Sequence, residues 1–465
     1  FTFWPALASA SSWPLADLAS ACSADPSRPL GPLVVRIYPD GGYGVIRSPV
    51  LDACNPQAVD CAALVASPRL DDLAAYSLLA LQARPNAFPH SEVDFATFKW
   101  TSYGVELLGE FGYGTIATAV GQWDFRRYES RDNNPAGHNT IVIREAYEES
   151  SEEINFSQLH QRSGTISKVE SNGLVCMHAD GSEVYGASKT GGWFSYMHRW
   201  TCLVGLGHFL IVDAFAALPN RTALRMYGSL YGGPDFDEGI VHPELTVDEY
   251  FHSPTWLNGK DISGMDETAR AFDRSSAGRW CGHVDLVPGA GVEENSTVYL
   301  HPRCGLASHS EGNVVGRVTA WSRSGGRFEV DGLVSSADRW GASTLHQHRF
   351  RYVSPAKVTR GGDVRAFLLS SWPKEEPMPE ASLGESACPG GAGSGTGSLC
   401  IEACVGPECA TATLVLTEGS APTMEDSGLT PSPTPPPGCT RFSMERLARA
   451  ALAGHRFVPC GEPPA

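Results

Sequence analysis

Residues 89–114 read PHSEVDFATFKWTSYGVELLGEFGYG and combine the pattern of a β-hairpin with a cluster of polar side chains. The segment VDFATFKW alternates loosely as a strand, TSYG is a turn, and VELLGEF is the returning strand. A turn centred within TSYG places Glu110 opposite a residue between Glu92 and Phe98. This register permits the carboxylates of Glu92 and Glu110 to converge without requiring it.

Two carboxylates that converge repel each other unless a proton or a cation lies between them. A nearby imidazole would add a nitrogen ligand, and the candidate is His138, in NNPAGHNTIVI at the start of the next predicted strand. This donor set suits Zn²⁺, Mn²⁺ or a similar divalent ion with one position open for water. The pattern therefore indicates a metal site at Glu92, Glu110 and His138. The alternative is a solvated strand face and an ordinary buried histidine.

Frequent turn residues favour short strands over long helices, because the 465 residues include 49 Gly and 33 Pro. VVRIYPDGGYGVIRS predicts two strands about an Asp-Gly-Gly turn. Further strand-like segments are HNTIVIRE, GTISKVE, GLVCMHA, MHRWTCLVGLGHFLIVDAF, VGRVTAWSRSGGRFEVDGLV and HQHRFRYVS. We predict a mainly β fold, a large antiparallel β-sandwich over residues 31–370.

Helical spacing is seen early in the chain at 14–24 and at 68–84, PRLDDLAAYSLLALQAR. The second segment has apolar side chains near one face, acidic residues in its first turn and an arginine at its end, which predicts a helix. Residues 371–465 are rich in Gly, Pro and Ser and contain six of the thirteen cysteines. They predict either a disulfide-pinned C-terminal appendage or a linker with local loops.

The formal net charge of −17 argues against nucleic acid and against a broad polyanion-binding face, although a local basic cleft is compatible with it. The cysteines lack the CxxC pairs of a zinc ribbon, and Asn155, Asn220 and Asn295 each begin a glycosylation sequon. These features predict a secreted glycoprotein with disulfide bonds. No apolar run reaches the roughly 18 residues that a membrane span requires.

The chain begins FTFWPALASA without an initiator Met, which we interpret as a processed form or a fragment. A P-loop, a dinucleotide fingerprint and a Ser-His-Asp arrangement are absent from the sequence. We therefore expect no organic cofactor.

Three short motifs follow one another along the chain: PHSEVDFATF, then LLGEFGYG, then GHNTIVI. In this order and spacing they resemble the C-terminal β-sandwich of heparinase II/III-like proteins, which include polysaccharide lyases and dermatan sulfate epimerases. YPDGGYGVIRS looks like the entry strand pair of that family, and MHRWTCLVGLGHFLIVDAF looks like its H-R…v-v-D strand pair. The resemblance covers residues 31–215 and implies the same sandwich. Asp213 then corresponds to a structural turn residue.

The resemblance also implies roles for individual residues. His90 matches a histidine in the active-site cleft, and Glu110 and His138 match an acidic and a histidine metal ligand. Glu92 stands where the family has a second histidine ligand. Glutamate can also bind a metal ion at this position, but it adds a negative charge to the site. Tyr113 matches the tyrosine of the epimerase pattern E-x-x-Y-G. In these enzymes an N-terminal α/α toroid forms the other half of the cleft, and we expect a helical remnant of it at residues 1–30.

Lyases and epimerases of this kind both remove the C5 proton of a uronic acid, whose acidity rises when its carboxylate is neutralised. A lyase then expels the C4 glycosidic oxygen, whereas an epimerase returns a proton from the opposite face. The candidates for proton transfer are His90, Tyr113 and Tyr128. The candidates for holding the substrate carboxylate by bidentate pairing are Arg126, Arg127 and Arg131.

The favoured function is β-elimination on a uronic-acid-containing polysaccharide, with an acidic polysaccharide as partner. The enzyme alternative is a uronate C5-epimerase, which the EFGYG segment favours. A third possibility is a non-catalytic carbohydrate-binding sandwich, which the short segment before the first predicted strand favours.

Overall fold

Antiparallel sheets form the fold of the described residues and confirm the predicted mainly β sandwich. The computed structural model describes residues 35–47, 51–52, 55–59, 77–84, 94–102, 105–109, 135–145, 158, 163–171, 174–186, 192–204, 207–218, 244–255, 283–287, 296–301, 314–335, 346–373, 377–388, 397–406, 408–416 and 421–424. The helices predicted within residues 1–30 lie outside these ranges.

A five-stranded sheet contains both hairpins predicted near the start of the chain. Its order is β1 (Val35–Tyr38), β2 (Tyr43–Arg47), β5 (Leu78–Gln82), β6 (Phe98–Ser102) and β7 (Val105–Leu108). A separate two-stranded pair consists of β3 (Leu51–Asp52) and β4 (Asn55–Val59). The Asp-Gly-Gly turn between β1 and β2 is confirmed as a 3₁₀ turn, Pro39–Gly41, and Gly42 follows it with a φ of 67°.

Two local predictions in this sheet are wrong. The helix predicted for 68–84 is not formed at Leu78–Gln82, which is strand β5, and residues 68–76 lie outside the described ranges. Leu78–Gln82 is an apolar run buried between β2 and β6, and so short a run fits either a helix or a strand. The strand predicted from VDFATFKW begins only at Phe98, because Asp94 to Thr97 form a turn in which Ala96 has a φ of 61°.

The largest sheet has eight strands and contains most of the later predicted segments. Its order is β14 (His283–Val287), β15 (Thr297–His301), β16 (Val314–Ser322), β19 (Asp363–Pro373), β12 (His208–Ala217), β11 (Phe194–Val204), β10 (Leu174–Asp180) and β9 (Thr165–Ser171). A short helix, α1 (Ser182–Tyr185), follows β10. The ten residues of β12 are all buried, because other layers cover this sheet on both faces.

A four-stranded sheet packs with the five-stranded sheet against one face of the eight-stranded sheet. Its order is β17 (Arg327–Ser335), β18 (His346–Val353), β13 (Val247–Thr255) and β8 (Ile141–Ile143). Aromatic rings fill the interface, with the Phe251 centroid 5.1 Å from that of Phe367 and 5.2 Å from that of Phe350. Burial of these rings supplies much of the apolar contact between the layers.

A second four-stranded sheet covers the opposite face of the eight-stranded sheet. Its order is β20 (Ala381–Ser386), β21 (Ser398–Val405), β22 (Glu408–Val415) and β23 (Thr423–Met424).

The predicted disulfide bonding is confirmed by three pairs, Cys176–Cys202, Cys388–Cys400 and Cys404–Cys409. The domain boundaries at 30/31 and 370/371 remain predictions. Among the described residues, no helix is both long and apolar enough to cross a bilayer.

A row of buried charges crosses the interface between the eight-stranded sheet and the sheet that contains β13. The strand register places Arg199 opposite Asp213 and Asp213 opposite Arg365. Arg199 donates to both carboxylate oxygens of Asp213, at 2.7 and 2.6 Å, and to Glu249 of β13 at 3.2 Å. The interpretation of Asp213 as a turn residue is therefore wrong, since it lies within β12 and forms a buried ion pair.

Glu249 lies beside Asp213 and Arg199 in this row. Burial raises its pKa well above the ordinary value, and the neighbouring charge of Asp213 and a hydrogen bond with Asp213 raise it further. The attraction of Arg199 and Arg365 opposes this shift without cancelling it. The raised pKa favours the neutral acid, which can donate to Asp213 while it accepts from Arg199.

Replacing Glu249 with Gln is expected to change the pH dependence of stability. Folding raises the pKa of Glu249 from the ordinary value of 4.5, which applies to the unfolded chain. The contribution of Glu249 to the free energy of unfolding therefore falls as the pH rises above that value, by up to about 1.4 kcal/mol per pH unit. Gln has the same shape but does not titrate. In urea unfolding from about pH 5 to 8, the variant should gain stability relative to wild type as the pH rises.

Glu329→Gln is the matched control. Burial opposes the shift, but hydrogen bonds and attraction from Arg327 and Arg351 lower the pKa of Glu329, so it is ionised in both states above about pH 5. Its pH dependence in that range should equal that of the wild type. Parallel curves for Glu249→Gln and wild type would contradict the raised pKa of Glu249.

Candidate functional site at the His138 loop

His138 lies in a buried loop that joins a 3₁₀ turn, Pro135–Gly137, to β8. Its backbone N–H donates to the carbonyl of Pro135 at 3.1 Å, and its carbonyl accepts from the N–H of Thr140 at 2.9 Å. These local bonds replace strand pairing, so β8 begins only at Ile141. The loop fixes the backbone of the His-Asn-Thr motif before the strand starts.

Asn139 connects this loop to three strands. Its side-chain Nδ2 donates to the carbonyls of Phe98 and Gly109, at 2.7 and 2.8 Å, and its Oδ1 accepts from the N–H of His252 at 2.7 Å. Two carbonyls and one N–H determine the orientation of the amide. Asn139 thus holds the start of β6, the residue after β7 and β13 together where the hairpin ends.

Thr140 anchors the other end of the motif in a buried hydrogen-bond network. Its hydroxyl donates to the carbonyl of Phe95 at 2.7 Å, and Gln158 donates to the hydroxyl of Tyr185 at 2.7 Å. Tyr185 in turn donates to the carbonyl of Ile141 at 3.0 Å. Burial raises the pKa of Tyr185, so this tyrosine stays protonated and acts as a structural donor.

Arg199 links the loop to the buried charges of the core. Its Nη1 donates to the carbonyls of Ala96 and Asn139, the latter at 3.0 Å. Burial opposes the positive charge, but the attraction of Asp213, its hydrogen bonds and the nearby Glu249 raise the pKa of Arg199 above the ordinary value. The guanidinium is therefore a fixed cation that orients the backbone beside His138.

The site lies toward the face of the four-stranded sheet that points away from the core. Phe251 belongs to the core, so its neighbours Tyr250 and His252 project to the opposite side. Tyr250 packs with Ala136 and Val142, which places the turn before His138 on that side. We refer to this side, with Tyr250 and His252 of β13 and Arg349 and Arg351 of β18, as the outer face.

Among the predicted site residues, the described ranges contain His138 alone. The other predicted residues lie outside those ranges and stay predictions: His90, Tyr113, Tyr128, Arg126, Arg127, Arg131, Glu92 and Glu110. The three sequon asparagines are also outside.

Two carboxylates of the opening stretch are described, and both are paired within the five-stranded sheet. Asp94 is buried and accepts from Gln82 and Arg84. Glu106 lies 2.5 Å from the Nζ of Lys99, and burial raises its pKa although Lys99 opposes the shift. These two side chains therefore stabilise the sheet.

The metal prediction depends on segments beyond the described ones. Within the described ranges, no group of three His, Cys, Asp or Glu side chains could hold a metal ion. His138 is the predicted ligand that these ranges contain, and a neutral imidazole is a common metal ligand. A complete ligand set needs Glu92 and Glu110.

Local patterns did not reveal Asn139, Arg199 or His252 as parts of this site. A signal was present for Arg199, because an Arg and an Asp stand alone in two consecutive apolar strands, in MHRWTCLV and HFLIVDAF. A buried charge requires a partner, which could have paired the two residues. His252 in EYFHSPT has no such signal, since its partner Asn139 is far away in sequence.

Comparison with known proteins yields distant structural likeness. No protein-family model matches the chain, and no curated protein matches it. The match to a solved structure of heparinase III covers 87% of this chain and 48% of the heparinase chain, with 12% sequence identity and a TM-score of 0.45. The heparan sulfate lyase HepC from Pedobacter heparinus covers the same shares, with 11% identity and a TM-score of 0.44. A second heparinase III has 13% identity, covers 82% of this chain and 42% of its own, and has a TM-score of 0.44.

The chain spans about half the length of these matched structures. At such identities and TM-scores, the comparison does not assign the chain to a family. The functional interpretation therefore depends on the residues of the chain itself.

Arg199→Met is expected to be strongly destabilising. It removes a buried ion pair and leaves Asp213 without its cation, which typically costs about 3–5 kcal/mol of unfolding free energy. Arg327→Met is the control, because the Arg327 side chain is 57% exposed and pairs with Glu329 at the surface. Such an exposed pair contributes at most about 1 kcal/mol. Equal effects of the two substitutions in denaturant unfolding would contradict the assigned role of Arg199.

Proposed function

We propose that this chain is a polysaccharide lyase that acts on a uronic-acid-containing polysaccharide. The observation that supports this proposal is the bridge made by Asn139. One asparagine of the His-Asn-Thr motif bonds both ends of the hairpin, at Phe98 and Gly109. The segments just beyond those ends, PHSEVDFATF and LLGEFGYG, carry the other matched motifs. The described parts of these motifs, residues 94–98 and 107–109, therefore border one loop.

The proposed roles follow from the chemistry of the reaction. His138, Glu92 and Glu110 would hold a divalent ion, which when bound supplies positive charge to the substrate carboxylate. Arg126, Arg127 and Arg131 pair with that carboxylate and orient the sugar. His90, Tyr113 or Tyr128 removes the C5 proton and protonates the departing C4 oxygen. The hydrogen bonds of the loop would hold the backbone of His138 in a defined position, as an active site requires.

C5-epimerisation is the second candidate, and the match of Tyr113 to the E-x-x-Y-G pattern favours it. It uses the same proton abstraction without loss of the C4 oxygen.

We also propose that the protein is secreted. Three disulfide bonds within the described residues support an oxidising compartment, as do the three sequons.

The lyase proposal predicts that unsaturated uronate absorbance appears when the chain is incubated with alginate, glucuronan or a glycosaminoglycan. His138→Ala should lower the rate at least about 10–100-fold, as loss of a metal-site residue does. His178→Gln is the control, because His178 stacks on Trp200 in β11, away from the His138 loop. Solvent deuterium entering C5 without absorbance would select the epimerase. Glycan binding with neither signal would contradict both activities and leave a binding sandwich.

The metal proposal predicts bound Zn or Mn in the purified protein. Elemental analysis should find a lower metal content in Glu110→Ala and His138→Ala, since each removes one proposed ligand. Glu329→Gln changes a carboxylate that bonds Arg327 and Arg351 and should retain the metal. Equal metal content in all four proteins would overturn the metal site.

A further inference from the structure

The outer face of the four-stranded sheet carries arginines beside the His138 loop. The side chains of Arg349 and Arg351 project away from the core, because Phe350 and Tyr352 between and after them are buried in it. The register places Arg349 directly opposite His252 and Arg351 opposite Tyr250. Directly opposed residues of an antiparallel pair share a face, so Arg349 is the cross-strand neighbour of His252.

Arg351 lies within ion-pair distance of three carboxylates. Its Nη2 lies 3.1 Å from Glu329, its Nε 3.4 Å from Asp331 and its Nη1 3.6 Å from Asp248. Arg144 donates twice to Asp248, at 2.7 and 3.0 Å. Both guanidinium groups are therefore paired with carboxylates of the protein.

Arg349 is arranged differently. Its Nε donates to Asp331 at 2.8 Å, and its guanidinium carbon lies 5.0 Å from the centre of the Tyr250 ring. Among the described residues, its two terminal nitrogens have no acceptor. The side chain is 15% exposed, so neighbours hold it while part of it stays accessible. Asp331 therefore holds the Nε edge of the guanidinium, and no described residue accepts from the Nη1 and Nη2 edge.

The available edge has the geometry that anionic groups require. The Nη1 and Nη2 edge of an arginine matches the two oxygens of a carboxylate or of a sulfate ester. Asp331 and Tyr250 already fix the plane of the guanidinium. Binding of an anion would therefore immobilise few further rotatable bonds of the side chain, and its entropic cost would be small. Among the described residues, the outer face includes the arginines Arg144, Arg327, Arg349 and Arg351 and the carboxylates Asp248, Glu329 and Asp331. The chain as a whole carries −17.

We propose that Arg349 binds a carboxylate or sulfate group of an acidic polysaccharide on the outer face, next to His252 and the His138 loop. The identity of the polysaccharide rests on the proposed lyase function, but the binding itself does not require catalysis. Asp331 is the positioning residue that orients the guanidinium. Arg349 thus adds an anion-binding residue to those expected from the sequence.

The test is calorimetric titration of the full chain with three probes: unsulfated glucuronan oligosaccharides, dextran sulfate oligosaccharides and neutral dextran oligosaccharides. We expect binding of an anionic probe and not of the neutral one. Arg349→Gln should weaken that binding by about tenfold or more, because a charge-assisted bidentate contact is lost. Arg349→Lys keeps the positive charge but not the two parallel N–H donors of the guanidinium, so it should show an intermediate loss of affinity.

Arg327→Gln is the matched control on the same face, since Arg327 is more exposed and pairs with Glu329. Its affinity should equal that of wild type. Thermal unfolding of each variant shows whether the fold is kept, and Arg349→Lys, the smaller change, tests the contact if Arg349→Gln unfolds. The glucuronan and dextran sulfate titrations distinguish a carboxylate from a sulfate as the bound group.

Failure of this inference is distinguishable from failure of the lyase proposal. Unchanged affinity in both Arg349 variants, equal binding of neutral dextran, or no binding of either anionic probe would overturn the role of Arg349, whether or not unsaturated product forms. Binding that depends on Arg349 supports the inference even if no product forms, and in that case only the lyase proposal fails.

Discussion

The guanidinium of Arg199 is the group on which the arrangement of the site depends. A buried cation is tolerated only if its hydrogen bonds are complete and its charge is compensated. Arg199 has five N–H donors, and five contacts use them: two to Asp213, one to Glu249 and one each to the carbonyls of Ala96 and Asn139. Three of these acceptors belong to the core sheets and two belong to loops. The core thereby determines where the loops lie.

The constraint continues outward through Asn139. Its carbonyl is held by Arg199, so its side chain is directed toward the hairpin and β13, where each of its polar atoms finds a backbone partner. Ala96 is held in the same way and adopts a left-handed conformation, which is unfavourable for a residue with a Cβ. The hydrogen bond from Arg199 contributes to keeping that turn. A single cation therefore orients both segments that approach His138.

Local sequence patterns predicted the strands well where one face is buried and the turns contain glycine, as in YPDGGYG. They failed at Leu78–Gln82, since a short run buried in the middle of a sheet has no distinctive period. They also failed at Asp213, because its structural role comes from contacts with Arg199 and with Glu249, which lies in a different sheet. Of the candidate site, the His-Asn-Thr motif was recognised, but the roles of Asn139 and His252 come from contacts between distant segments that no local pattern encodes.

An acidic chain can still bind an acidic polymer if the field is local. At physiological ionic strength charges separated by more than about 8 Å are largely screened, so the net charge of the whole protein matters less than the groups around the contact. On the outer face, Asp248, Glu329 and Asp331 prevent the neighbouring arginines from repelling one another. They occupy Arg144 and Arg351 and leave one edge of Arg349 accessible. Arg349 is thus the proposed contact for a single charged group of the polymer, held in place by Asp331 and Tyr250.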